Sequence, residues 1–207
     1  RIVLGGRLMR FRLNGSRLFA MRIGIPLTAL MASLFLSLSV AAQDLGALIG
    51  ELDAKPYAET YALRTEIEKL FAEATAPSAN TSTFEDLEQS LLDRLPEVTK
   101  PISRQWLIRV LEWFGSEASV PLLAAYLKDS DKETSECARR ALIANPSAEA
   151  IKVLAGAFIH SEESAKGMYL DAFVYRNDVR SVKVIKDFLQ SGHSPLVEEA
   201  ARALIQL

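Results

Sequence analysis

In this chain of 207 residues, 49% are hydrophobic and 24% charged, enough apolar material for one sizeable domain or two small ones and too much for a disordered chain. The formal net charge of −2 hides an asymmetry: residues 1–42 hold six arginines and no acid, which leaves 18 basic against 26 acidic residues in the rest. An acidic body is a poor match to phosphate backbones, so nucleic acid is excluded as a partner.

In chain order, residues 1–20 start on Arg1 rather than methionine, with Met9 and Met21 both possible starts. They read as upstream or misassigned sequence and are set aside from fold reasoning. Residues 21–42 have the parts of a secretory signal peptide. Arg22 is the positive end, Ile23 to Val40 is apolar, and Val40-Ala41-Ala42 offers small residues for cleavage before Gln43. The expected location is therefore periplasmic or secreted, with membrane contact only through this segment should it stay uncleaved.

Residues 43–100 form an acidic helical segment, a degenerate repeat or a cap. Leu63, Ile67, Leu70, Phe71 and Ala74 recur at helical spacing and predict a helix over 57–74. Proline and small polar residues over 76–82 predict a loop. Phe84, Leu87, Leu91 and Leu95 share one face of a second helix, with Thr83 and Asp86 resembling a capping box and Pro96 as its stop.

After Pro101 the chain repeats itself every 31 residues. Leu111, Leu142, Phe173 and Leu204 fall in one register; Val120, Ile151 and Val182 in another; Leu123, Leu154 and Ile185 in a third; Leu127, Phe158 and Leu189 in a fourth. Polar breaks at 115–117, 146–148 and 177–179 separate the apolar stripes. Such a step fits two helices and two short turns. The first helices are expected at 103–114, 133–144, 164–175 and 195–207, and the second helices at 119–128, 148–160 and 181–190. Asp131 before Glu133, and Ser194 before Pro195, mark helix starts. A single pair cannot cover its own apolar surface, so neighbouring pairs must stack and share a core.

The stretch Asp129 to Leu142 resembles the bacterial HEAT-repeat pattern D-P-D-P-E-V-R-E-A-A-x-R-A-L. Val120 to Leu127 matches the companion helix V-P-x-L-x-x-x-L, with Gly115 in the turn between, and Val197 to Leu204 matches again. The resemblance covers residues 101–207 and includes the phycobilisome-lyase-like type. Thr134 and Ser135 depart from the pattern's Val-Arg, and the third unit, 164–177, keeps only the spacing. The resemblance implies an α-solenoid of stacked antiparallel helix pairs, all-α, that works as an interaction scaffold. The lyase branch attaches bilins, but no motif here carries that chemistry.

A search for chemistry returns bland readings. Cys137 sits in an alanine-rich helix as a core thiol. His160 ends a helix and His193 lies in a turn, neither with a second ligand at zinc spacing. Asp129 and Asp131 start like a calcium loop but lack its glycine and closing glutamate, so they read as caps. Trp106 and Trp113, seven apart on one helix, read as core anchors, the alternative being an exposed aromatic platform. No catalytic, cofactor or metal residues are assigned.

The function expected is an exported scaffold that binds a protein partner and is not an enzyme. The alternative is the repeat domain of a larger exported enzyme, or a lyase-like protein presenting a substrate. In solenoids the second helices stack into a ledge. Their least apolar rows are Pro121, Lys152 and Lys183; Ala125, Gly156 and Asp187; and Lys128, Ile159 and Gln190. Within these, Lys128, Lys152, Lys183, Asp187 and Gln190 are the candidate partner-binding residues, and their mild basicity points to a carboxylate-bearing partner.

Overall fold

The computed structural model describes residues 44–77, 79–191 and 195–207. Among them every regular element is a helix. These are α1 (44–54), α2 (Tyr61–Ala74), α3 (Thr81–Arg94), α4 (Pro101–Phe114), α5 (Val120–Tyr126), α6 (Lys132–Ala144), α7 (Ala148–His160), α8 (Glu163–Arg176), α9 (Ser181–Ser191) and α10 (Val197–Gln206). The proposed leader, its cleavage point, His193 and Ser194 lie outside the described residues.

Local chemistry explains most boundaries. Asp131 caps α6 by accepting the Thr134 N–H at 3.0 Å, and Ser147 caps α7 by accepting from Ala150 at 3.2 Å. Pro101 and Pro121 occupy first turns, where their missing N–H costs nothing. α8 ends on Asn177, whose φ of 47° is the left-handed conformation that asparagine tolerates. Several expected helix bounds are corrected: α2 starts at Tyr61 after a 3-10 turn at Tyr57–Glu59, and α10 starts at Val197, past Pro195. α3 begins one turn early, because the Asn80 side chain accepts from Ser82 N at 3.2 Å and supplants the Thr83–Asp86 box. α5 is shorter than predicted, starting at Val120 directly after a 3-10 turn at Glu117–Ser119 and ending at Tyr126. α1 falls within the segment expected to be helical, and its Leu45, Ile49 and Leu52, at helical spacing, are buried.

Apart from Val182, the four apolar registers lie in or against the shared core. Leu123, Leu154 and Ile185 are each 0% exposed, and Leu111, Leu142 and Phe173 lie within 1% of zero. Burying such a side chain stabilises the fold by about 1.5–3 kcal/mol. First helices α4, α6, α8 and α10 lie side by side, as do second helices α5, α7 and α9, so each repeat covers its neighbour. Phe158 of α7 packs edge-on to Phe173 of α8 (5.7 Å) and to Phe188 of α9 (5.0 Å), joining the third pair to the second. Phe71 of α2 does the same at the other end, stacked on Phe114 at 5.6 Å and edge-on to Phe84 at 6.3 Å.

The N-terminal helix is tied on by charge as well as by apolar contact. Asp53 accepts the N–H groups of Thr99 and Lys100, both at 2.9 Å, just where α4 starts. Lys100 in turn donates to the carbonyls of Ala54 and Lys55 at the end of α1. Each charge therefore sits at the helix end of opposite polarity. Burial acts to raise the Asp53 pKa, but the two N–H groups, the Thr99 hydroxyl and the Lys100 charge outweigh it and hold the carboxyl below its ordinary value.

Candidate functional site

The second helices place the expected surface outside. Lys128 on the turn after α5, Lys152 on α7, and Lys183, Asp187 and Gln190 on α9 are all exposed, together with Pro121 and Ala125. Ile159, on the middle helix, is 60% exposed, an apolar centre for the ledge. The basicity is redistributed by partners on the same helices. Lys183 pairs with Asp187 at 2.6 Å and Lys152 pairs with Glu149, which leaves both lysines locally neutral. Lys128 and Lys186 are exposed and have no ion pair among the described residues, so they carry the ledge's positive charge.

One edge of the stack is held by polar side chains that sequence reading passed over. Glu88 of α3, 2% exposed, accepts from both the N–H and the hydroxyl of Ser116 in the α4–α5 turn. Asn145, 1% exposed at the end of α6, donates to the carbonyl of that same Ser116 at 2.7 Å. Arg176, one repeat later, donates to the carbonyls of Leu142, Ile143 and Asn145 and so closes the C-terminus of α6. Its side chain is 6% exposed, and burial pushes its pKa down against the raising effect of Asp178. The α4–α5 turn is thus pinned from both sides, by Glu88 before it and Asn145 after it, and the end of α6 by Arg176 of the following repeat. These groups hold the repeats in register, bonding mostly to backbone, while Arg176 Nε is buried with no partner among the described residues. A repeat-to-repeat signal existed, since Asn145 and Arg176 stand 31 apart, but unlike residue types hid it.

Trp106 and Trp113 part company. Trp106 is 5% exposed and belongs to the core as expected; Trp113 is 52% exposed, which corrects its reading as a core anchor. Its register explains why. Ala144 and Tyr175 stand one and two repeats after Trp113 and are exposed as well, so this row faces out in every first helix. The Arg109 guanidinium lies 6.0 Å from the Trp113 ring.

Cys137 and Asp131 lie as expected, in the core and at a helix start. Burial pushes the Cys137 thiol up, with Glu133 adding to it, so the reactive thiolate is disfavoured. Asp131 accepts from Thr134 and from Gln105 as a cap, and these hydrogen bonds lower its pKa. His160 is exposed at the end of α7. Among the described residues no three His, Cys, Asp or Glu side chains gather as a metal would need, and no helix is long and apolar enough to cross a membrane.

Against known proteins, residues 88–165 match the family model of HEAT repeats. The matched stretch contains α4 to α7 whole, two stacked pairs, and starts at the buried Glu88. This supports a HEAT-repeat protein. HEAT repeats are generally scaffolds for protein interaction and generally not catalytic. No curated protein and no solved structure matches the chain.

Proposed function

We propose that this chain is an exported helical-repeat scaffold that binds a protein partner and catalyses no reaction of its own. The observation that carries the reading is the ledge of α5, α7 and α9. Three adjacent second helices bury Leu123, Leu154 and Ile185 completely and turn exposed Lys128, Ile159 and Lys186 outward. A half-exposed isoleucine between two unpaired lysines has the make-up of an interface with an apolar centre and a polar rim. The partner is expected to bring an apolar anchor flanked by carboxylates. Lys152, Lys183, Asp187 and Gln190 sit around that centre, their paired charges fixing orientation more than affinity.

Export rests on residues 21–42, with processing between Ala42 and Gln43. N-terminal sequencing of the protein recovered from the periplasm or medium should begin at Gln43, and a chain retained in the cytoplasm would refute export. Binding is tested by recovering partners from the periplasm on the immobilised protein and measuring their affinity. Charge reversal at Lys128 and Lys186 should weaken binding about tenfold at low salt. Reversal at Lys152 and Lys183 should weaken it less, and none of these exposed changes should alter melting. Affinity unchanged in all four variants would remove the ledge from consideration.

A further inference from the structure

The opposite face of the stack, made by first helices, carries a groove that the ledge does not use. It runs between α6 and α8, encloses about 220 Å³, and is lined by Arg139, Ile143, Met168, Asp171, Ala172 and Tyr175. That is below the size of small-molecule sites but suited to one or two side chains. Met168 and Tyr175 stand 46% and 79% exposed on its α8 wall, while the floor at Ala172 is buried. Met168, Asp171 and Tyr175 follow one another at three and four residues, so they share one face of α8.

The charges in the groove are unequal. Arg139 is locked to Glu136 of its own helix, Nε at 2.8 Å and Nη2 at 2.6 Å, and its side chain is 15% exposed. Asp171 is exposed and has no ion pair or side-chain hydrogen bond among the described residues. Past Tyr175 the groove opens into a wider recess lined by the end of α6 and the α8–α9 turn. There Arg180 binds Asp178, and Arg176 is turned into the α6 carbonyls. Among the six residues lining the groove itself, the unpaired charge is therefore the Asp171 carboxylate, set between a thioether and an aromatic ring.

We infer that the α6–α8 groove docks a protein segment that presents a lysine or arginine beside an apolar side chain. The cation meets Asp171 and the open face of Tyr175, an ion pair and a cation–π contact made by one group. Its methylene stem, or the neighbouring apolar residue, lies against Ile143 and Met168, whose flexible thioether adapts to unlike partners. This occupant is the charge opposite of the one expected at the ledge, so the two faces would hold different partners.

The test uses the chain produced from its full sequence and an array of fluorescein-labelled nonapeptides. In these, Lys or Arg stands one to four residues from Leu, Met or Phe, and each peptide has a twin with Glu in place of the cation. Cationic peptides should bind and their Glu twins should not. Asp171→Asn should weaken binding about tenfold, Tyr175→Ala about fivefold, and 0.5 M salt should weaken it as well. Amide shifts on binding should cluster at Ile143, Asp171 and Tyr175. Lys128→Glu with Lys186→Glu should leave peptide affinity unchanged, which separates this groove from the ledge. Equal binding by the Glu twins, no binding by any peptide at millimolar concentration, indifference to Asp171→Asn, or shifts confined to α5, α7 and α9 would each overturn the inference.

Discussion

Removing the Asn145 side chain should reveal how much the repeat register depends on its polar edge. Asn145 is 1% exposed. Its Nδ2 donates to Ser116 O at 2.7 Å, with longer approaches of 3.3 Å to Gly115 O and Ser119 Oγ, and its Oδ1 accepts from Ser147 N at 3.0 Å. The two well-formed bonds contribute about 0.5–1 kcal/mol each, and the half-buried groups left behind add about 1–2 kcal/mol of unmet hydrogen bonding. Asn145→Ala should therefore cost about 2–4 kcal/mol. Urea unfolding followed by helical circular dichroism should show a lower midpoint with an unchanged slope. In a chain of this length the melting temperature should fall by about 4–16 °C. Asn145→Asp separates polarity from packing, because it keeps the shape and turns a carboxylate toward two carbonyl oxygens. Its folded pKa should be raised above the unfolded value, so the variant should lose most at pH 7 and regain stability relative to wild type as pH falls toward the unfolded carboxyl pKa. A loss below about 0.5 kcal/mol for Asn145→Ala, or an Asp variant with no pH dependence of its deficit, would refute the reasoning.

Other outcomes follow from the same structure. Leu154→Ala, at a 0% exposed position of the middle repeat, should destabilise by about 2–5 kcal/mol, whereas Trp113→Ala should cost well under ~1 kcal/mol; matched denaturant titrations compare them. Gly115→Ala should destabilise by about 1–3 kcal/mol, because a Cβ there would meet Leu111 O at 2.5 Å and Ser119 Oγ at 2.8 Å; thermal melting reads the loss. Asp53 has a lowered folded pKa, so its contribution is present above the unfolded carboxyl value and is lost as pH falls through the folded one. Asp53→Asn should thus cost about 1 kcal/mol at pH 7, allowing for solvent screening, and little at pH 2; unfolding at the two pH values tests the sign. Replacing Asn177 by glycine should leave stability unchanged or slightly raised, and valine should lower it by about 1–2 kcal/mol, since its φ of 47° suits only residues that tolerate the left-handed region.

The repeat is written in the residues alone. The 31-residue step, the order of first and second helices and most of their ends were legible, because helix periodicity, caps and prolines are local and act through residues three or four apart. The exposure of Lys128, Lys152, Lys183, Asp187 and Gln190 was legible too, since in a stacked pair the face that packs dictates the face that does not. Packing between helices settles what local spacing leaves open. Trp106 and Trp113 stand two turns apart on one face, yet one is buried and the other is not. The long-range reach of Glu88 to Ser116, and of Arg176 to the end of α6, likewise depends on which turns stacking brings together. Asp171 became a lone charge in a groove only once α6 lay beside α8 and Arg139 had been claimed by Glu136. Local rules set where a side chain points from its own helix; only the neighbouring helix, packed some 8–10 Å away, determines what it meets there.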